Sequence, residues 1–290
     1  MFELAHAGAV FRTSGTTGGG RGTHRLLDTF LYDRGALAWA LRCAPDLPAD
    51  VIALLEDPAL ATDSSLSHMV GLFPRATGRA VWHVIDGNLD VEGATASVRA
   101  AKGPVLLAST AFALAEWLEG DVPPLPPGSL VMVTGGFKGR AVRLSDEALY
   151  GTIDARLRPH RTLTEYGMTE LSSQLYEETL RRRGGPAARG VYQPPPWLRV
   201  VAVDAATLEP LPAGVVGLGR FVDLANVDSA VAIQTADRVR VSTGGGVELF
   251  GREPGATPRG CSLAVEEITA GGAGSADPVS TDAPHREPSP

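Results

Sequence analysis

The 290-residue sequence has little lysine, little cysteine and no excess of positive charge. Its 26 basic residues are outnumbered by 33 acidic ones, leaving a formal charge of -7. That balance excludes a nucleic-acid binder that relies on a broad basic surface. Two cysteines, Cys43 and Cys261, cannot form a disulfide framework, and they fit a reducing compartment, the cytoplasm. No apolar run reaches the ~18 residues that an integral membrane span needs. The longest candidate, 105–118, is broken by Ser109, Thr110 and Glu116. The first residues carry Glu3 and no basic stretch, so no secretory signal is expected. What is present is a globular balance, 44% hydrophobic and 20% charged, in a chain long enough for one large or two ordinary domains. The excess of Arg over Lys (only Lys102 and Lys138) is a coding bias without functional content.

Short apolar runs at 51–55, 81–85, 105–108 and 130–134 alternate with helical patterns at 25–41, 91–101, 110–118 and 145–157. In the last, Ser145 suits an N-cap, and Leu149, Ile153 and Leu157 recur at one helical face. Continuous apolar strands between amphipathic helices predict an α/β fold, a mainly parallel sheet covered on both faces. A further helix is expected from about 169 to 183, ended by three arginines and Gly184. After Pro194-Pro195-Pro196 the pattern becomes short and β-branched, at 198–203, 216–222, 230–234, 238–241 and 247–250. The expected organisation is an α/β nucleotide-binding region at 1–193, a β-rich subdomain at 194–268 and a disordered tail at 269–290.

Two motifs carry chemistry. In the first, Thr13-Ser14-Gly15-Thr16-Thr17-Gly18 and further glycines precede the helix expected at 25–41. Backbone N–H groups and hydroxyls in such a loop can cradle phosphate oxygens, and a flexible linker has the same composition. The spacing matches neither a Walker A loop nor a dinucleotide fingerprint. The second is Tyr166-Gly167-Met168-Thr169-Glu170. A carboxylate there can hold Mg²⁺ and the Tyr ring can cover a base. Taken alone, Glu170 reads better as an acid complementing a helix dipole, and Tyr166 as core.

Together the two motifs, about 150 residues apart, resemble the adenylate-forming superfamily of acyl-CoA ligases, amino-acid adenylation domains and luciferases. Within it the sequence is most similar to the LuxE-type acyl-protein synthetases of fatty-acid reductase systems. Four stretches point there: Thr134-Gly135-Gly136-Phe137-Lys138-Gly139-Arg140, Glu165 to Gln174, Val222-Asp223-Leu224-Ala225-Asn226 and Arg259-Gly260-Cys261-Ser262-Leu263. The likeness covers about residues 8–268, with the fold of a large adenylate-forming domain shortened at its N-terminus.

The resemblance implies ATP and Mg²⁺ as cofactors and gives each matching residue a role. Thr13, Ser14, Gly15, Thr16, Thr17 and Gly18 would hold the β- and γ-phosphates. Tyr166 and Gly167 would meet the adenine, Thr169 a phosphate and Glu170 the metal. Asp237 and Arg252 would bind the nucleotide sugar. Gly135 and Gly136 would let the backbone approach the acyl group, and His68 would wall the substrate carboxylate. Cys261, beside Arg259, would accept the acyl group as a thioester. Cys43 reads as a small buried hydrophobe at a helix end.

The sequence departs from the family in three places. The phosphate loop begins a dozen residues in, the mobile domain with its catalytic Lys does not follow residue 270, and the third departure lies at Arg252-Glu253-Pro254, where larger relatives have an acidic hinge residue after the Arg. LuxE-type proteins generally lack that mobile domain as well. The implied function is activation of a carboxylic acid, by family default a fatty acid, and transfer to Cys261 to feed an acyl-CoA or fatty-acid reductase partner. The alternatives are a carboxylate–CoA ligase, a secondary-metabolite adenylation enzyme, or a truncated non-catalytic partner subunit.

Overall fold

A computed structural model of the chain describes residues 7–13, 21–74, 78–135, 146–177, 181–182 and 190–254. The expected tail at 269–290 lies outside the described residues, as do Ser145, Lys138 and Cys261.

A hairpin of β1 (Ala9–Arg12) and β2 (Thr23–Leu26) comes first. Then follow α1 (Phe30–Cys43), β3 (Asp50–Glu56), α2 (Ser65–Gly71), β4 (Ala80–Ile85), β5 (Asn88–Leu89), α3 (Val91–Ala100), β6 (Val105–Thr110), α4 (Ala111–Glu119), β7 (Leu130–Thr134), α5 (Asp146–Thr152) with a π-helical turn at Ile153–Leu157, and β8 (Arg161–Tyr166). From there the elements are strands: β9 (Leu175–Glu177), β10 (Arg181–Arg182), β11 (Tyr192–Gln193), β12 (Leu198–Val203), β13 (Val216–Asp223), β14 (Ala232–Val241) and β15 (Val247–Arg252).

All but β1 and β2 join one thirteen-stranded sheet, in the order β12-β13-β14-β15-β11-β9-β8-β7-β6-β3-β4-β5, with β10 also on β8. The run β4-β3-β6-β7-β8 is parallel, and every other pairing in the sheet is antiparallel. The α/β architecture and the parallel run match the sequence reading, but the sheet as a whole is mixed.

Side-chain alternation explains why the parallel strands read as unbroken apolar runs. Val51, Ala53 and Leu55 pack under α1 and α2 with Tyr32, Ala36, Met69 and Val70. Ile52 and Leu54 face the other way, toward Val98 of α3 and Leu114 and Trp117 of α4. Both faces are buried, so both alternations must be apolar. Each such Leu or Val contributes roughly 1.5–3 kcal/mol by leaving water, more than any single hydrogen bond in the fold. Helix starts are set by side chains: Asp90 accepts from Gly93 N at 2.9 Å, Thr110 from Ala113 N at 3.2 Å and Ser64 from Ser67 N at 3.1 Å. No helix among the described residues is long and apolar enough to cross a membrane.

Three sequence-based expectations are corrected. The helix expected at 25–41 begins only at Phe30, because Arg25 and Leu26 pair with β1 and the Asp28 side chain turns the chain by accepting from Phe30 N at 2.8 Å. The helix expected from 169 to 183 is a turn followed by β9. Ser172 and Ser173 give their bonds to Asp223 and Asn226, and this side-chain competition defeats the helix. The strands expected at 230–234 and 238–241 are one strand, β14, with a bulge between Asp237 and Val239.

Candidate active site

In open parallel sheets, ligands meet the carboxyl ends of the strands where the strand order reverses. Here β3 is followed by β4 on one side and, later, β6 on the other, so the reversal lies between β3 and β6. Among the described residues, Gly135 and Tyr166 lie at the carboxyl ends of β7 and β8, the strands next along from β6. β7 and β8 run in register with Thr134 opposite Glu165. Gly135, at φ 75°, and Tyr166 therefore leave the sheet side by side. Only a glycine takes that left-handed φ without strain.

The root of the Gly/Thr loop is rigidly held. Thr13 N donates to Gly22 O at 2.9 Å, and Gly22 N returns a bond to Thr13 Oγ1 at 2.8 Å. Arg21 pairs with Asp63 Oδ2 at 2.9 Å and Arg12 N donates to Asp63 O at 2.9 Å, which ties the hairpin to the segment leaving β3. The loop thus connects two strands, and the helix that the sequence pattern places directly after it is displaced: β2 comes next and α1 begins only at Phe30. Ser14, Gly15, Thr16, Thr17 and Gly18 lie outside the described residues, as do Gly136 and Cys261.

The structure brings Tyr166, Asp237 and Arg252 together from three separate strands. Tyr166 Oη donates to Asp237 Oδ2 at 2.8 Å, and Arg252 Nη1 approaches Asp237 Oδ1 at 3.5 Å. Asp237 and Arg252 face each other across β14 and β15, and the bulge at Asp237 turns its carboxylate toward Tyr166. The Tyr166 ring lies on Phe221, centroids 5.9 Å apart and tilted 26°, with Tyr192 edge-on at 6.4 Å. Burial, then the Asp237 charge and hydrogen bond, hold the Tyr166 phenol well above its ordinary pKa despite Arg252, so it stays a donor.

Thr169 is buried and Glu170 half-buried in the turn after Gly167. With no helix starting there, the alternative role of Glu170 as a helix-terminus acid falls away. Asn226 Nδ2 donates to Glu170 O at 2.9 Å, and Ser172 Oγ bonds Asn226 Oδ1 at 2.9 Å. Buried Asp223 accepts from Ser172 N at 3.0 Å and from Ser173 Oγ at 2.8 Å, and Trp197 Nε1 donates to Ser173 Oγ at 3.0 Å. Burial raises the Asp223 carboxyl, and these bonds pull it back down. This clamp fixes the turn that carries Thr169 and Glu170. The sequence had marked both of its stretches through the family resemblance without giving them a role.

Gly167 is required by close approach: a Cβ there would lie 2.6 Å from Glu165 Oε1. Glu165, 3% exposed, is the residue the sequence reading missed. Burial pushes its carboxyl up to about 8, against a smaller opposite effect of the Thr134 hydroxyl. No cue in the strand's pattern separates it from a solvated strand acid.

His68 lies on α2, with its ring against Phe11 and Tyr32 at 5.3 and 5.5 Å and its Nε2 2.7 Å from Asp33 Oδ1. Cys43 is half-buried at the end of α1, where burial pushes its thiol up to about 11, against the pull of Arg42. At that value it is a poor nucleophile near neutral pH. Among the described residues no group of three or more His, Cys, Asp or Glu could hold a metal by itself. No ion pair engages Glu170 among them either, so its carboxylate suits a hard cation that takes its other ligands from phosphates and water.

No protein-family model and no curated protein matches the sequence. Solved structures match its fold. ATP-bound MatB from Rhodopseudomonas palustris aligns with a TM-score of 0.58 at 16% identity, over 85% of this chain and 48% of that one. O-succinylbenzoate coenzyme A synthetase (MenE) from Bacillus subtilis, in complex with AMP, gives 0.59 at 16%, over 87% and 50%. The N-terminal subdomain of Klebsiella oxytoca NpsA, in complex with 3-hydroxybenzoyl-AMSN, gives 0.56 at 17%, over 84% and 63%. All three are adenylate-forming enzymes of the acyl-CoA ligase family. This chain shares their fold. It spans about half the length of MatB and MenE.

Proposed function

We propose that the chain activates a carboxylic acid with ATP and Mg²⁺ as an acyl-adenylate and passes the acyl group to Cys261 as a thioester. The observation that carries this reading is the joined cluster of Tyr166, Asp237 and Arg252 at the sheet edge beside Gly135. Three residues assigned separately to one nucleotide meet there, in a fold shared with enzymes solved bound to ATP and AMP.

Asp237 uses one oxygen for Tyr166 and one for Arg252, and a carboxylate has lone pairs left for two ribose hydroxyls. The part-exposed Tyr166 ring meets the adenine, and Thr169 a phosphate oxygen. Thr13 roots the loop whose N–H groups receive the β- and γ-phosphates. Glu170 would hold Mg²⁺, which neutralises phosphate charge when bound. A substrate carboxylate oxygen attacks the α-phosphorus, the bond from that phosphorus to pyrophosphate breaks, and acyl-AMP forms. The Cys261 thiolate then attacks the acyl carbon, and AMP leaves with the electron pair of the broken C–O bond.

The narrower LuxE-type reading rests on the sequence motifs, and with it the acyl-reductase partner and a reducing, cytoplasmic setting in which Cys261 stays a thiol. A second reading is favoured by MenE, an O-succinylbenzoate coenzyme A synthetase, and by the anthranilate CoA ligase AuaEII, which also matches the fold. In that reading coenzyme A replaces Cys261 as acceptor.

The test is intact-protein mass after incubation with ATP, Mg²⁺ and an acid that supports pyrophosphate release. A hydroxylamine-labile gain is expected in wild type and in Cys43→Ser but not in Cys261→Ser. A gain that persists in Cys261→Ser sinks the assignment of the acceptor. No gain together with acyl transfer to added coenzyme A establishes the ligase reading.

A further inference from the structure

On the face of β8 opposite Tyr166, three side chains end in polar atoms that have no hydrogen-bond partner: Glu165 Oε2, Gln174 Oε1 and Tyr176 Oη. The three residues are 3%, 4% and 0% exposed. They form one cluster. Glu165 and Tyr176 stand directly opposite in the β8/β9 register, and Gln174 Nε2 donates to Tyr32 Oη at 3.3 Å, which itself donates to Ser65 O at 3.0 Å. Tyr176 lies close enough to Glu165, Cys43 and Tyr32 for their charges to raise its phenol further after burial. Folded proteins leave few buried polar atoms unpaired, and three in one cluster mark a place built to receive a polar group.

The cluster lies between the two described residues that the family resemblance gives to the acid. Thr134, next to Gly135, faces Glu165 across β7 and β8, and the His68 ring packs edge-on against Tyr32. Gln174 already uses an N–H on Tyr32, so its free carbonyl oxygen requires a donor. Tyr176 and a neutral Glu165 can each give or accept a bond.

Building on the proposed adenylation, we infer that the acid activated here carries a hydrogen-bond donor on its acyl part, a hydroxyl or an ammonium, received by Glu165, Gln174 and Tyr176. A plain alkyl chain would leave Gln174 Oε1 and Tyr176 Oη dry and unpaired, and Glu165 with only the Thr134 hydroxyl beside it. This assignment departs from the fatty acid that the LuxE-type resemblance implies. Sites that bond a substrate hydroxyl or N–H reject the analogue lacking it by factors up to roughly 10⁴–10⁵.

The experiment compares pyrophosphate release from matched acids: octanoate with 8-hydroxyoctanoate, and benzoate with 3-hydroxybenzoate and 3-(aminomethyl)benzoate. The expected result is a kcat/KM at least about tenfold higher for a polar member than for its apolar parent. Tyr176→Phe and Glu165→Leu should each shrink that ratio, and Tyr176→Phe should do so without lowering Tm, since the hydroxyl it removes bonds nothing. Glu165→Gln separates the two donors: it should weaken selection for the ammonium far more than for the hydroxyl. Equal rates within each set, or a preference unchanged in both Tyr176→Phe and Glu165→Leu, overturns the inference. If no acid supports release, the adenylation reading fails on its own, and the same acids are then compared by thermal shift. A larger Tm rise with the polar member in wild type than in Tyr176→Phe sustains the donor assignment; no difference refutes it.

Discussion

Tyr166 and Glu165 are neighbours in sequence, on opposite faces of one strand, and their surroundings differ in kind. The Tyr166 side is bonded largely within itself: its hydroxyl donates to the Asp237 carboxylate, the Arg252 guanidinium approaches that carboxylate through Nη1 while its Nε stays unpaired, and the ring rests on Phe221. The Glu165 side is more deeply buried and ends in unpaired atoms of Glu165, Gln174 and Tyr176. A cluster whose members bond one another fixes geometry in advance, as a site for an invariant ligand such as a nucleotide requires. A cluster with unpaired atoms is costly alone and gains most from a partner, as a site that selects among acids requires. On the proposed function, the same strand end serves two tasks.

The largest effect expected from this contrast is in pH dependence. Glu165 is neutral when folded up to about pH 8 and ionises near 4.5 when unfolded. Between those values the native state holds the extra proton, so its contribution to stability is complete below pH 4.5 and is lost as pH rises toward 8. The slope is roughly 1 kcal/mol per pH unit. Glu165→Gln should flatten that slope, measured as the urea midpoint from pH 5 to 8.5. A slope unchanged by the substitution would place the Glu165 carboxyl in a wetter, partnered setting.

A smaller effect is expected on the bonded side. Asp237→Ala leaves Tyr166 and Arg252 without their shared acceptor and should cost about 2 kcal/mol, because both members of the Asp237–Arg252 pair keep some contact with water. Asp237→Asn keeps an acceptor for Tyr166 and should recover about half of that loss. Denaturation in urea gives both values. If Asp237→Ala costs nothing while ATP affinity falls, the cluster acts only on the ligand and does not hold the strands.

Much of the scaffold is legible in the sequence, for a physical reason. β7 begins where its apolar run does, because a strand buried on both faces tolerates little polar interruption, and β12 is marked by its β-branched residues although Arg199 points outward. β8 is missed because Thr162, Thr164 and Glu165 are polar yet buried, and only tertiary contacts make that possible. The turn at 169–174 is misread as helix because its bonds run to Asp223 and Asn226, about fifty residues away. Among candidate site residues, Tyr166, Asp237, Arg252 and Gly135 are brought to one edge. His68 bonds Asp33 and packs beside Tyr32, on the acyl side of that edge. The β-bulge that turns Asp237 inward leaves no mark in a sequence, so its meeting with Tyr166 could be expected only from the resemblance.

The most direct test of the central claim is ATP-dependent pyrophosphate release by wild type and Glu170→Gln over a panel of alkyl, aryl and hydroxylated acids with Mg²⁺. The substitution keeps the side chain's shape and leaves the Asn226 bond to the Glu170 carbonyl in place, so folding should be unchanged by circular dichroism. The account predicts release by wild type with at least one acid and a loss of about 100-fold or more in Glu170→Gln, the scale of removing an electrostatic contributor to the transition state. Release undiminished in Glu170→Gln, or none by wild type with any acid, would contradict it.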